Sequence, residues 1–251
     1  MSDIYAAPTA DVTRQVGGER TGGNIEDAIE GNIEIDFMST MNEAWDSLKG
    51  FKTHCLFAWL IYIVAAIVVG MLSLPVVAAF LSLGIDETTA EILDYFVQTM
   101  LGALTYPMMA GITIMGIRHA CGKPVTASSI FAYFHRIPGI LLWIVLWYLL
   151  VSLGLALFVL PGIYLIFAYS FSLVLMIEKD ISAWQALEIS RKAVTRLWFR
   201  TTGFMLLCTF LIILGLLLLV IPLIWILPWL SLAYALIYLK LFGAEAATLA
   251  D

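Results

Sequence analysis

Apolar residues dominate four long runs that carry no charge: Cys55 to Ile85, Tyr95 to Ile117, Ile137 to Ile177 and Thr201 to Leu239. Each exceeds the roughly 20 residues that cross a bilayer as a helix. The 23-residue run makes one span, whereas the runs of 41 and 39 residues are each about two spans long with proline near the middle. Each long run reads as a helical hairpin. Pro161 and Gly162 turn the first and Pro222 turns the second, because proline removes a backbone donor and glycine admits turn geometry. The 31-residue run gives one span to about Ser73, and the stretch from Pro75 to Leu83 then either caps or re-enters the membrane. The pattern predicts an all-α polytopic protein with six spans, at about 55–74, 92–117, 138–158, 163–178, 201–220 and 224–241.

Charge fixes the expected orientation. All thirteen Lys and Arg lie in the N-terminal segment or in alternate gaps between spans: Arg14, Arg20, Lys49 and Lys52 before span one, Arg118, Lys123 and Arg136 after span two, Lys179 to Arg200 after span four, and Lys240 at the end of span six. The positive-inside rule makes these gaps cytoplasmic and puts both termini there. The outer gap with Asp86, Glu87, Glu91 and Asp94 has no base, and the other outer turns are short and uncharged. Residues 1–36 carry eight acids, two arginines and paired glycines, which predicts a disordered acidic cytoplasmic tail. The segment lacks the basic start and early apolar core of a cleavable signal, so span one is expected to direct insertion. Residues 37–241 form the membrane domain and 242–251 a short cytoplasmic tail.

Composition agrees with the spans and adds little about partners. Hydrophobic residues make up 62% of the 251-residue chain and charged residues 13%, against about a quarter charged in soluble domains. Mean hydropathy is +0.96. The net charge of −6 arises in the tail, since the remaining eleven acids and eleven bases cancel. Three cysteines do not suggest a disulfide framework.

Each pair of spans follows an amphipathic segment, beginning near residues 40, 126 and 182. Thr40 with Glu43 and Ser182 with Gln185 match a helix capping box, and Thr88 with Glu91 repeats it before span two. In the first segment Phe37, Met41, Ala44, Trp45 and Leu48 make an apolar stripe suited to an interfacial helix. The second leads through Ile130, Phe131, Tyr133 and Phe134 to Arg136. The third presents Ala183, Ala186, Leu187, Ser190, Ala193, Val194 and Leu197, mostly small residues that let helices pack closely. Trp45 precedes Pro75 by 30 residues and Phe131 precedes Pro161 by 30, while Ala186 precedes Pro222 by 36. These spacings suggest three parallel units, each entering from the cytoplasm, unlike the inverted repeats of many transporters.

No ionisable residue falls in the central part of any expected span, which argues against proton relays, pumps and intramembrane acid proteases. Metalloprotease and phosphate-loop motifs are also absent, so no catalytic residue, no enzyme activity, no cofactor and no nucleic-acid partner are expected. Imidazole and thiolate make His54, Cys55, His119, Cys121 and His135 candidate metal ligands, against the simpler reading of solvated groups at a membrane edge. Lys192, Arg196 and Arg200 recur every fourth residue beside Arg191, a stripe suited to the head groups of an anionic inner leaflet at about 1 kcal/mol per charge. Ala66 with Gly70, and Ser152, Gly154 and Ala156, suit helix packing rather than a channel. Trp225 and Trp229 are expected at the outer interface, and Trp45, Trp184 and Trp198 at the inner one.

The stretch Leu160-Pro-Gly-Ile-Tyr-Leu-Ile-Phe167, the following Glu178-Lys-Asp-Ile-Ser-Ala-Trp-Gln-Ala-Leu-Glu-Ile-Ser190, and Pro107 to Gly111 with Gly122 and Ile130-Phe131 resemble six-helix bacterial inner-membrane families of unknown function. Those families are related to the membrane domain of glycerophosphodiester phosphodiesterases. The resemblance covers about residues 37–241 and implies an all-helical membrane domain; it does not import phosphodiesterase chemistry, which belongs to a separate soluble domain. The expectation is a non-enzymatic bacterial inner-membrane protein with a scaffold, accessory or membrane-homeostasis role, contacting lipids and a membrane or cytoplasmic protein partner through its cytoplasmic layer. The rival expectation is a transporter or channel for an uncharged or lipid-like solute, motivated by the broken hairpins and by Gln98, Thr99 and Thr105 in span two.

Overall fold

A computed structural model describes residues 22–250, which are helical with no strand. The helices are α1 (Ile25–Glu30), α2 (Phe37–Asp46), α3 (Lys52–Ser82), α4 (Glu87–Gly102), α5 (Tyr106–Ala120), α6 (Ile137–Leu157), α7 (Val159–Ala168), α8 (Ser172–Glu178), α9 (Ala183–Arg196), α10 (Trp198–Leu217), α11 (Leu223–Phe242) and α12 (Ala246–Leu249). Two 3₁₀ turns, Ala127–Phe131 and Phe134–Arg136, join α5 to α6. Six helical stretches are long and apolar enough to cross a membrane: Lys52–Leu72, Glu87–Ala120, Ala127–Leu157, Val159–Glu178, Trp198–Leu217 and Leu223–Phe242.

Helix α11 is the centre. It packs against α5, α2, α3, α10 and α1, and Leu232, Ala233, Ala235, Ile237 and Tyr238 are fully buried. Small residues permit the approach: a Cβ on Gly116 of α5 would stand 2.6 Å from the Ala235 Cβ. Around this centre α3, α6 and α10 face outward, exposing Leu60, Val64, Ile67, Leu149, Leu153, Leu206, Phe210 and Ile213. An outward apolar surface of that extent is what a lipid-facing helix presents.

Two of the spanning stretches are interrupted. Between α4 and α5 the amides of Ala103, Leu104 and Thr105 bond three residues back instead of four. Pro107, which has no N–H and crowds the carbonyl four residues earlier, explains the break at this position. The uncharged run from Tyr95 to Ile117 predicts one continuous span here. Between α7 and α8 the chain unwinds at Tyr169–Phe171, where the Ser190 hydroxyl donates to the Ala168 carbonyl (2.7 Å) and the Tyr234 hydroxyl to the Ser170 carbonyl (2.6 Å). Side chains thus satisfy carbonyls that would otherwise be orphaned within the apolar layer.

The α6–α7 and α10–α11 breaks fall a few residues before the prolines named for the turns. The α6–α7 reversal is made by Phe158 (φ −156°, ψ 139°), and Pro161 sits in the first turn of α7, where a missing N–H costs nothing. Gly162 serves contact: its Cα lies 3.1 Å from a Cβ placed on Gly154. The α10–α11 reversal uses Leu219 (φ 59°) and Val220 (φ 68°), with Pro222 as the N-cap of α11. A β-branched residue in the left-handed region is strained by about 1–2 kcal/mol. Val220→Gly is therefore expected to raise stability by about 1 kcal/mol, read as a higher thermal midpoint in detergent.

Other expectations need correction. The segment after Pro75 is neither a separate cap nor a re-entrant piece, because α3 continues through Pro75 to Ser82. At about 46 Å, by 1.5 Å per residue, α3 exceeds the hydrocarbon thickness of about 30 Å. The Ser182–Gln185 capping box forms, but α2 and α4 are capped by Asp36 and Asp86, upstream of the Thr40 and Thr88 boxes. A carboxylate at the position just before the first turn accepts the exposed amides directly.

Of the expected disordered tail, residues 1–21 lie outside the described residues, and 22–36 are folded. Asn24 caps α1, and Ala28 and Ile35 are buried. Gly22 and Gly23, read as flexible, are close-approach positions. The Gly23 amide donates to the Leu239 carbonyl (3.0 Å), and a Cβ there would stand 2.1 Å from the Lys240 carbonyl oxygen. The C-terminal segment also packs, with Ala244 buried and α12 against α5.

The two expected tryptophan belts do not separate. Trp229 donates to the Met41 carbonyl (2.8 Å) and meets Trp45 edge-on at 5.4 Å, while Lys52 Nζ lies 4.1 Å from the Trp225 ring. Residues assigned to opposite faces are in contact because α2 does not lie flat. It packs lengthwise on α11, with Lys240 donating to Thr40 (2.9 Å) and Glu43 (2.5 Å) at its other end.

Candidate functional site

The proposed basic stripe divides into two pairs. Glu188, one turn before, accepts from Arg191 at 2.8 and 3.0 Å and lies 3.3 Å from Lys192. The hydrogen bond from Arg191, and then that from Lys192, holds the Glu188 carboxyl below its ordinary value, and the bond to Glu188 holds the Arg191 guanidinium above its own. A lowered carboxylate pKa contributes stability above its unfolded value near 4.3, and that contribution is lost as pH falls through the folded value. Unfolding midpoints of wild type and Glu188→Gln should therefore differ at neutral pH and converge below about pH 4. The gap is expected to be small, because these side chains are about one-third exposed.

Arg196 and Arg200 have no ion pair among the described residues. They line a cleft of about 450 Å³ with Gly31, Glu34, Thr195, Trp198 and Phe199. The cleft lies where the α1–α2 connection crosses the junction of α9 and α10. Its wall is fixed by aromatic and hydroxyl contacts: Trp198 meets Tyr164 in a tilted contact at 5.0 Å, the Tyr164 hydroxyl bonds Thr195 (2.5 Å), and Phe37 meets Phe204 at 5.6 Å. The Arg196 stem covers Gly31, with its Cβ 3.5 Å from a Cβ placed there. Phe199 is 89% exposed at the start of the apolar α10.

A second polar centre was not legible in the sequence. Glu178, at the end of α8, accepts from the Tyr238 hydroxyl (3.0 Å) and from the Glu245 amide (2.7 Å). Lys179 Nζ lies 3.2 Å from both Glu178 and Glu245 and donates to the Gly243 carbonyl (2.9 Å). The Glu178 side chain is fully buried and Lys179 is 3% exposed. Arg118 adds bonds of 2.8 Å to the carbonyls of Thr248 and Ala250. This centre latches the C-terminal segment to the ends of three spans. The only sequence signal was an acid–base pair closing an apolar run, which also fits a simple topology marker.

The five candidate metal ligands are dispersed. His119 bonds the Ser47 carbonyl (2.9 Å) and His135 the Ala132 carbonyl (3.0 Å), with Arg136 donating to its other nitrogen (3.1 Å). Cys55 is buried and His54 partly so, away from any grouping with them. Burial, and then the Glu178 charge, pushes the Cys121 thiol above its ordinary value, which disfavours the thiolate that metals bind. Among the described residues no group of three or more His, Cys, Asp or Glu could hold a metal ion. In span two, Gln98 donates to Asp94 (2.5 Å), Thr99 donates to the Tyr95 carbonyl within α4, and Thr105, in the break, donates to the Gly102 carbonyl at the end of α4.

The chain matches no protein-family model, no curated protein and no solved structure.

Proposed function

We propose that this is a multi-pass protein of a bacterial inner membrane, with both termini cytoplasmic. In this reading it acts without catalysis, as a scaffold, accessory or membrane-homeostasis factor. Its working surface is the cytoplasmic layer built from α1, α9, the Thr40 end of α2 and residues 243–250, below three hairpins that each follow an amphipathic segment. Arg191, Lys192, Arg196 and Arg200 contact anionic head groups at the edge of that layer, and the kinship with six-helix inner-membrane families belongs to the same proposal.

One observation carries the reading. The hydrogen-bonded and ionic structure is concentrated in this layer, whereas α3, α6 and α10 present almost unbroken Leu, Ile, Val and Phe outward. A surface rich in fixed polar contacts beside lipid-facing helices is suited to binding head groups and partner proteins. Cross-linking through the layer in native membranes tests it. Recovery of a phospholipid or a discrete protein that is lost in Arg191→Ala/Lys192→Ala/Arg196→Ala/Arg200→Ala supports the reading, and recovery of neither contradicts it.

Transport of an uncharged or lipid-like solute is a second reading, favoured by the unwound segments at Ala103–Thr105 and Tyr169–Phe171. Gln98 and Thr99 bond within α4 and Thr105 bonds the carbonyl that ends it, so they do not define a shared path.

A further inference from the structure

We infer that the cleft between the α1–α2 connection and the α9–α10 junction is a binding site for a phospholipid head group carrying a primary ammonium beside its phosphodiester. Arg196 and Arg200 hold the phosphate and Glu34 holds the ammonium. The inference rests on the lipid-contacting reading above and sharpens it from general attraction to one site with a chemical preference.

The cleft brings together three exposed charged side chains of both signs, Arg196, Arg200 and Glu34, and none of them pairs with another. Elsewhere on this layer opposite charges at comparable positions do pair, as Glu188 does with Arg191 and Lys192, and Glu43 with Lys240. A zwitterion placed between the arginines and the carboxylate would give each of the three an opposite charge to contact, whereas a purely anionic head group would leave Glu34 facing no cation. Guanidinium groups suit phosphate oxygens because their planar donors match two oxygens at once. The cleft also receives the start of α10, whose first amides have no side-chain cap and whose dipole favours an anion. Its volume of about 450 Å³ falls within the range of small-molecule sites.

The occupant is a lipid rather than a free phosphomonoester or inorganic phosphate. Phe199, 89% exposed, sits on the cleft rim at the first turn of a membrane-spanning helix, where an aromatic ring is stabilised by acyl chains and not by water. Glu34 was assigned from sequence to a disordered tail. It reaches this site because α1 docks on α9 and Phe37 on Phe204.

The test is native mass spectrometry of the full-length, delipidated protein in detergent with equimolar phosphatidylethanolamine, phosphatidylcholine and phosphatidylglycerol. Choline keeps the positive charge but has no N–H to donate, so it isolates the ammonium contact. Wild type is expected to retain the ethanolamine lipid at least about fivefold over the choline lipid. Glu34→Gln is expected to abolish that preference while keeping one phospholipid bound, and Arg196→Ala/Arg200→Ala to lose the bound lipid. Millimolar inorganic phosphate should not displace it; displacement would overturn the lipid assignment. Equal retention of ethanolamine and choline lipids by wild type, or an unchanged preference in Glu34→Gln, would overturn the inference. Loss of phosphatidylglycerol in the four-residue variant, scored in the same spectra, reports separately on the general lipid-contacting reading.

Discussion

Lys179→Met is expected to destabilise the protein by about 3–5 kcal/mol, the range for breaking a buried ion pair by removing one partner. The ammonium supplies the charge that balances Glu178, whose side chain is fully buried, and it also ties Glu245 and the Gly243 carbonyl. Methionine has similar length and fills the space, so the effect isolates charge rather than volume. What remains is a buried carboxylate with the Tyr238 hydroxyl and the Glu245 amide but no cation. A buried unpaired charge is the costly half of a broken ion pair. Glu178→Gln/Lys179→Met removes both charges and should recover much of the loss. The measurements are denaturant unfolding in a mild detergent and protease cleavage after residue 242, which the single variant should accelerate. An unchanged midpoint in Lys179→Met would show that these groups are solvated and that the latch is absent.

Gly23→Ala comes second, at about 1–3 kcal/mol, the range for forcing atoms into a packed interface. The added methyl would meet the carbonyls of Lys240 and Leu241 at 2.1 and 2.7 Å, and backbone oxygens inside a helix cannot move aside. Gly23 must retreat and lose its bond to Leu239, which frees α1 from α9 and α11. Hydrogen exchange at the α1 amides should rise sharply while exchange in the buried half of α11 stays slow. Gly203→Ala is the control. Nothing lies within 4 Å of a Cβ there, and alanine within a helix is expected to stabilise by about 0.5–1 kcal/mol. If Gly23→Ala leaves α1 protection unchanged, the N-terminal segment is not docked as described.

The spans were legible because length and apolarity are local properties; six stretches of sufficient length and apolarity are present. The Ser182–Gln185 cap and the buried faces of Ala186, Leu187, Ser190 and Ala193 in α9 were legible for the same reason. What escaped depended on distant contacts. Gly22 and Gly23 carry the composition of a flexible tail, and only the neighbouring α11 backbone shows that they permit close packing. The break before Pro107 was hidden by continuous hydrophobicity on both sides. Tyr238 and Glu178 are 60 residues apart, so no spacing rule joins them. Arg196 and Arg200 were visible as a stripe, but their cleft needed Glu34 from another part of the chain.

In the proposed topology the polar layer lies on one side of a multi-pass protein and Asp86 on the opposite side. The most direct test is cysteine accessibility in a variant lacking Cys55, Cys121 and Cys208, with single cysteines at Asp86 and at Lys192. A membrane-impermeant maleimide applied to sealed spheroplasts should label the Asp86 position and not the Lys192 position, and inverted inner-membrane vesicles should give the reverse. Labelling of both positions from the same side would contradict the account.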